Sequence, residues 1–255
     1  MTTRLVCLPT CRSQRTTLNG LELTLHTELS LYILGFIHAA HFILPSSTSC
    51  PSVPNKLIHL QYFNPVTRKY NKGTGDYYLV FYWIVLFTLL RDATMQYVLQ
   101  PYAKYRGVKT YKGLVRFAEQ AWLMIYYSIF WVLGMVRKAV ILLCALEDCA
   151  NIAGCQYINS TSQHWMNFRN MWTDWPLTET DGLFKWYYLV QLAFWLQQIF
   201  VLHIEERRKD HYQMLAHHLI TSALITGSFQ FHLMRVGNAI LCAMDIVDIL
   251  LPVGL

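Results

Sequence analysis

Charged residues are scarce in this chain of 255 residues. Asp, Glu, Lys and Arg together make up 14% of it, whereas they account for about a quarter of an ordinary soluble domain. Hydrophobic residues make up 54%, and the chain contains 16 Tyr, 13 Phe and 8 Trp. Aromatic side chains concentrate where a protein meets the headgroup region of a bilayer. The composition therefore disfavours a soluble globular domain and favours a membrane protein.

The chain also lacks the motifs that would hold a metal ion or a set of disulfides. Its seven cysteines form no CxxC pair and no metal-ligand spacing, so we interpret them as isolated thiols, with Cys242 packed inside a helix. A di-iron membrane oxygenase would need histidines in repeated HxxxH or HxxHH clusters, and neither pattern occurs. We therefore expect no metal ligands and no permanently bound cofactor.

A cleavable signal peptide and a nucleic-acid footprint are missing as well. The first twenty residues are basic and polar, without the apolar core of a signal peptide. The net charge is +6, but the basic residues lie between apolar runs instead of forming one patch. This distribution is typical of the cytoplasmic face of a membrane protein, and we expect no nucleic-acid partner.

Long hydrophobic runs dominate what is present. A helix that spans a bilayer needs about 20 apolar residues. Five runs meet this length and a sixth is marginal, at residues 22–44, 77–99, 115–135, 183–204, 213–233 and 238–255. Pro45, Pro101 and Gly237 follow the first, second and fifth runs and are predicted helix stops. The predicted fold is all-α, a polytopic transmembrane bundle of five or six helices.

The charges of the loops predict its orientation. Three segments are rich in basic residues and belong in the cytosol by the positive-inside rule: Arg4, Arg12 and Arg15; Lys104, Arg106, Lys109 and Lys112; Arg207, Arg208 and Lys209. Residues 136–182 then face the lumen, where Asn159 in the sequence Asn-Ser-Thr is a predicted glycosylation site. The loop after the first run is also basic and fits the rule less well. Together these signals predict a cytosolic N-terminus.

Four ionisable residues lie inside the last two apolar runs, where they are costly and indicate function. His217 and His218 are adjacent, so their side chains point about 100 degrees apart and at most one squarely faces a given cleft. Asp245 and Asp248 share a helix face. With Arg235 as the turn of an antiparallel hairpin, Asp248 lies within about 7 Å of the depth of His217. A carboxylate there would orient a histidine and stabilise its protonated form, as a general base requires.

Other ionisable residues have a stronger structural interpretation. His38 and His41 are expected to be packing or interface residues, and the three histidines at helix ends are expected to be solvated: His203, His211 and His232. Arg91 and Asp92 lie in the second run, with Arg91 about 12 Å from the cytoplasmic end of its helix. We favour a structural ion pair or a snorkelled side chain. The alternative is that Arg91 binds the phosphate groups of a cytosolic cofactor.

These residues occur in a segment that resembles a known family. The Lag motif of ceramide synthases, membrane acyltransferases of the TLC-domain superfamily, is similar to HHLITSALITGSFQFHLMRVGNAILCAMDIVD. The fungal branch of that family resembles three further segments: FTLLRDATMQYVLQPYA, VRFAEQAW and WPLTETDGLFKWYYLVQLAFWLQQIFVLHIEERRKDHYQM. The resemblance covers most of residues 76–135 and 165–255. It implies that His217, His218, Asp245 and Asp248 are the catalytic residues.

The implied reaction is N-acylation of a sphingoid long-chain base by a fatty acyl-CoA in the endoplasmic reticulum membrane. A histidine near neutral pKa can remove the proton from the attacking amine, or attack the thioester itself and form an acyl-imidazole. Both routes stay open. Acyl-CoA would be a co-substrate, membrane lipids would surround the bundle, and a homo- or hetero-oligomer is left open.

The apolar runs, the loop charges and the resemblance together predict how the chain is organised. Residues 1–21 form a cytosolic tail, 22–112 an N-terminal region with two spans, and 113–255 a TLC domain that is incomplete at its C-terminus and carries an insertion at 136–157. Two rival hypotheses are a non-catalytic lipid carrier or translocation helper of the same superfamily, and an inactive fragment of the enzyme. A carrier has no chemical need for the histidine and aspartate pairs, which favour the enzyme.

Overall fold

The structure is a computed structural model that describes residues 10–43, 53–135, 172, 175–204 and 211–250. Asn159, the predicted insertion at 136–157, residues 205–210 of the basic run and the chain end after residue 250 lie outside the described residues. The described part is mostly helical, as predicted.

The helices occur where the hydrophobic runs predict them. In chain order the elements are α1 (Thr10–Ile43), α2 (Val53–Ile58), β1 (Phe63–Asn64), β2 (Lys69–Tyr70), α3 (Asp76–Thr94), a π-helical turn (Met95–Leu99), α4 (Gln100–Tyr105), α5 (Tyr111–Met135), α6 (Gly182–Ile204), α7 (His211–Gln230) and α8 (Met234–Leu250). Helix α1 begins well before residue 22, so much of the predicted N-terminal tail is helical.

Strands β1 and β2 are a departure from the all-α prediction. They pair antiparallel, with Phe63 opposite Tyr70 and Asn64 opposite Lys69. The Asn64 side chain accepts a hydrogen bond from the backbone N–H of Val66 at 3.1 Å, which is the local turn chemistry that folds a short loop back on itself. A bridge from Tyr70 to Thr180 ties this hairpin to the segment before α6.

Two predicted helix stops were wrong. Pro101 does not end the second helix, because the π-helical turn precedes it and Pro101 occupies the first turn of α4, where its missing N–H costs little. Gly237 lies inside α8. The chain reverses instead at residues 231–233, where His232 adopts a left-handed conformation with φ 61°.

Two described helical segments are long and apolar enough to cross a membrane, Asp76–Tyr105 and Gly182–Ile204. Residues Thr27–Ile43 form a shorter apolar helix. The number of helices that span the bilayer therefore stays a prediction.

Helix α6 is the centre of the bundle. It packs between α3 and α7, while α8 packs against α5 and α7, and α1 covers α3. Aromatic rings fill the space between α3, α5 and α6: Phe87, Tyr126, Tyr127, Phe130, Tyr187 and Phe194. Rings of this size bury a large apolar area and hold neighbouring helices in a defined arrangement.

A cluster of polar residues closes the bundle at the end where α6 begins and α7 ends. Lys185 Nζ lies 2.7 Å from Asp76 Oδ1, and it donates to the backbone carbonyls of Asn71 at 2.6 Å and Gln61 at 3.1 Å. Lys72 Nζ donates to the carbonyl of Phe229 at 3.0 Å. These contacts tie the segments on either side of the β1–β2 hairpin to α3, α6 and α7.

Candidate active site

The two histidines lie on α7 and the two aspartates on α8, and His217 and Asp248 lie at a similar depth in this hairpin. With the turn at His232, His217 lies about 22 Å and Asp248 about 24 Å along their helices from the turn. The difference between the two depths is therefore smaller than predicted, because the chain reverses three residues earlier than Arg235. His217 and the Asp248 carboxyl are also near enough to interact electrostatically. An imidazole and a carboxylate at one depth can share a proton and its charge.

Both histidines contact the indole ring of Trp195. The ring centroids of His217 and His218 are each 5.5 Å from that of Trp195, and they are 5.6 Å from each other. His218 is buried, with 6% of its surface exposed, whereas His217 is half-buried. The two side chains therefore differ in access although one aromatic ring contacts both.

Asp245 lies deeper in the bundle and is held by an amide. It is fully buried, and Gln191 Nε2 donates to its Oδ2 at 3.4 Å. The same nitrogen donates to the Tyr187 hydroxyl at 3.2 Å, while Gln191 Oε1 accepts from the Tyr126 hydroxyl at 2.9 Å. Helices α5, α6 and α8 are thus joined by one polar network, which fixes the position of this carboxyl.

Several buried polar atoms around the histidines have no hydrogen-bond partner within the part of the chain that the structure describes. They are Trp195 Nε1, His218 Nδ1, Ser222 Oγ, Asp245 Oδ1 and Asp248 Oδ2. Most buried polar groups in proteins are paired, so a concentration of unpaired ones needs an explanation. These unpaired atoms can donate hydrogen bonds to, or accept them from, a polar reacting group.

Arg91 is buried on α3, where its Nη1 donates to Asp92 Oδ1 at 3.2 Å. Because the helical segment continues to Tyr105, Arg91 lies about 21 Å from its end, farther than the sequence predicts. Binding of a cofactor phosphate by Arg91 stays a prediction.

Among the described residues, no group of three or more His, Cys, Asp or Glu is arranged to hold a metal ion.

The three histidines that the sequence places at helix ends differ in their exposure. His203 is exposed, as expected. The expectation of solvation was wrong for His211, which is buried, and for His232, which is half-buried. His232 Nδ1 lies 3.0 Å from Lys72 Nζ and 2.9 Å from the Leu177 carbonyl. The turn before α8 directs the His232 side chain toward these two partners, so it is not fully solvated.

Cys242 is buried in α8, as predicted.

Trp195 and Gln191 were not recognised as site residues from the sequence. Both lie on α6, in a third segment of chain that no motif linked to the histidines. One signal was present, since an amide inside the apolar run LVQLAFWLQQ is costly at membrane depth and needs a partner. An indole in an apolar run carries no such signal.

Comparison with known proteins identifies a family for the segment that contains α7 and α8. Residues 116–254 match the family of TRAM, LAG1 and CLN8 proteins, described as the TLC domain. This match covers α7 and α8 with both residue pairs.

Three curated fungal relatives are similar over most of this chain. A sphingosine N-acyltransferase-like protein of Alternaria alternata is 44% identical over 75% of the chain and 39% of its own length. A sphingosine N-acyltransferase of Schizosaccharomyces pombe is 41% identical over 77% of the chain and 45% of its own length. A ceramide synthase of Gibberella moniliformis is 35% identical over 89% and 49%. The chain spans less than half the length of these relatives.

Proposed function

The chain belongs to the TLC-domain family, and from this premise we propose that it is an acyl-CoA-dependent N-acyltransferase. It transfers a fatty acyl group from acyl-CoA to the amine of a sphingoid long-chain base, forming ceramide or dihydroceramide. The names of its relatives support this class of reaction.

The arrangement of the histidine pair is the observation that carries the proposal. His217 and Asp248 lie at one depth on neighbouring helices and interact, and both histidines pack on one indole. A histidine opposite a carboxylate can accept a proton and keep the resulting charge. The half-buried His217 is the member that a substrate amine can approach, so we assign it the proton transfer.

In the general-base route the amine nitrogen attacks the thioester carbonyl carbon. A proton passes from this nitrogen to His217, and the tetrahedral adduct then collapses with cleavage of the carbon–sulfur bond. The proton on the imidazolium returns to the leaving thiolate, which yields the amide and free CoA thiol. Asp248 stabilises the imidazolium during this cycle. The apolar helices exclude water, which suppresses hydrolysis of the thioester.

In the nucleophilic route a histidine attacks the thioester first. The carbon–sulfur bond breaks, the proton on the other imidazole nitrogen passes to the thiolate, and CoA leaves as the thiol. The amine then attacks the acyl-imidazole, and its proton returns to the imidazole as the amide forms. Both routes place the histidine pair against the reacting carbonyl. A covalent acyl-enzyme that accumulates without sphingoid base, detected by mass spectrometry, would favour the nucleophilic route.

We propose an endoplasmic reticulum location, and the loop charges support an N-terminus in the cytosol. The histidines lie about 10 Å from the start of α7, the end that follows the basic run, so the charged nucleotide of acyl-CoA can stay in water. Arg91 is a proposed phosphate contact and Asn159 a proposed glycosylation site. Loss of a glycosidase-sensitive mass shift in Asn159→Gln would support this orientation, and a wild-type chain without such a shift would argue against it.

Ceramide formation in membranes that lack endogenous ceramide synthases tests the proposal. We expect product from acyl-CoA and a long-chain base, and a loss of about 100-fold or more in His217→Ala and His218→Ala. His203→Ala is the matched control, because this exposed histidine lies at the end of α6. Ceramide formation that is unchanged in both variants would contradict the assignment of the histidines as catalytic residues.

The relatives are longer than this chain, and one further arm of the experiment addresses that difference. The chain is also expressed with the C-terminal region of the Schizosaccharomyces pombe relative fused to it. Activity of the fusion alone would mean that residues beyond this chain are needed for the reaction, while the same histidine variants would still test the site.

A further inference from the structure

The indole of Trp195 has an unused hydrogen-bond donor beside the histidine pair. Only 1% of the residue is exposed, and its Nε1 donates to no atom in the described chain. An indole N–H can donate but cannot accept. Burying such a group without an acceptor is unfavourable, so an acceptor from a bound substrate would relieve this cost.

Two other tryptophans also lack an acceptor among the described residues, and they show what is particular to Trp195. Trp122 and Trp131 both lie on α5, and Trp122 packs against Met95, Leu99 and Ala118. Neither has a ring contact with a histidine within the described residues, whereas Trp195 contacts both His217 and His218. The indole ring that carries this unpaired donor therefore lies against the residues of the proposed chemistry.

The proposed reaction creates a charge that needs such a donor. Attack on the thioester turns its carbonyl oxygen into an oxyanion, and fixed donors in a dry site stabilise that charge strongly. The other unpaired side-chain atoms on α7 and α8 include carboxyl oxygens of Asp245 and Asp248 and the hydroxyl of Ser222. Ionised carboxylates repel an oxyanion and a hydroxyl rotates to suit several partners, so the indole N–H of Trp195 is a more fixed donor than either.

We propose that Trp195 Nε1–H donates a hydrogen bond to the thioester carbonyl oxygen as it becomes an oxyanion. Trp195 is then a catalytic residue in addition to the histidine and aspartate pairs. The inference rests on the proposed acyl transfer and deepens it. The indole keeps its proton throughout, while the proton of the amine still passes to the imidazole.

The variant Trp195→Phe removes the N–H and retains an aromatic ring. We expect kcat to fall by about 100-fold to 1000-fold, the usual loss for one oxyanion donor, with little change in KM for either substrate. Trp122→Phe is the matched control, since it removes an equally unpaired indole N–H away from the histidines. It should keep the wild-type kcat.

A second substitution separates the N–H from the shape of the ring. Replacing residue 195 by β-(3-benzothienyl)alanine keeps the bicyclic outline but has no donor. We expect the same fall in kcat as for Trp195→Phe. A benzothienyl chain with wild-type kcat, or a variant that raises KM for the sphingoid base alone, would overturn the proposal, because the indole would then fill space or bind a substrate hydroxyl.

A spectroscopic measurement does not depend on turnover. A ketone analogue of acyl-CoA, in which a methylene replaces the sulfur and the carbonyl carries ¹³C, cannot transfer its acyl group. A hydrogen bond from Trp195 should lower its carbonyl stretching frequency on binding, and the benzothienyl chain should lose this shift. An equal shift in both proteins would overturn the inference while leaving the acyltransferase function intact. A wild-type chain and its extended fusion that form no ceramide would overturn both.

Discussion

At the level of single residues, Gln191 joins three helices through one side-chain amide. It accepts from Tyr126 and donates to Tyr187 and Asp245. The aspartate pair was predicted from the sequence because its cost at membrane depth is visible in an apolar run. The amide that holds Asp245 was not predicted, since nothing local in the sequence pairs α6 with α8.

We expect Gln191→Leu to lower both stability and activity. Leucine fills similar space but leaves buried hydroxyl and carboxyl groups unpaired, each at a cost of about 1–3 kcal/mol. Thermal unfolding in detergent and ceramide formation measure the two effects. Gln198→Leu is the control, because Gln198 is buried on the same helix and bonds only its neighbour Gln197 among the contacts described for its side chain. An equal loss of activity in both variants would contradict a specific role for Gln191.

At the level of elements, the turn into α8 sets the axial register between the histidine pair on α7 and the aspartate pair on α8. The left-handed His232 reverses the chain, and Gly237 then lets α8 approach Tyr188 and Ser228, whose hydroxyls are hydrogen-bonded to each other. A Cβ at Gly237 would overlap the Tyr188 hydroxyl and lie 2.7 Å from Ser228 Oγ. Gly237 is needed for a close approach of helices and does not act as a helix stop.

Gly237→Ala should therefore destabilise the protein by about 1–3 kcal/mol, the usual cost of overpacking. It should also reduce ceramide formation, because α8 has to shift and carries Asp248 away from His217. Gly227→Ala is a matched control on α7, since no described atom outside its own helical turn lies within 4 Å of the position that a methyl group would take there. Alanine there should stabilise the helix by up to about 1 kcal/mol. Equal melting temperatures for the two variants would contradict this account.

At the level of the whole molecule, the polar cluster opposite the histidines holds loop and helices together. Burial lowers the pKa of Lys72 from its ordinary value of 10.5 to about 8, with the charge of Lys185 acting in the same direction and Asp76 opposing it. Between these two pH values the unfolded chain keeps the Lys72 proton and the folded chain releases it. The free energy of unfolding should therefore rise with pH in this window.

Lys72→Met tests this linkage. The variant should show a smaller rise in melting temperature than the wild type between about pH 8 and pH 10.5, because the proton release from Lys72 is gone. Other groups titrate in both proteins, so the difference between the two curves isolates the contribution of Lys72. Parallel curves would mean that Lys72 has the same pKa in the folded and unfolded states.

The sequence by itself determined where the helices lie and which polar residues share their last hairpin. Both follow from local patterns, since long apolar runs form helices and a short turn makes neighbouring helices antiparallel. Only the tertiary structure decided that Trp195 lies against both histidines and that Gln191 meets Asp245. Helix α6 is apolar on nearly every side, so its periodicity does not indicate which face meets α7 or α8. Ring packing and the close approach at Gly237 select those faces.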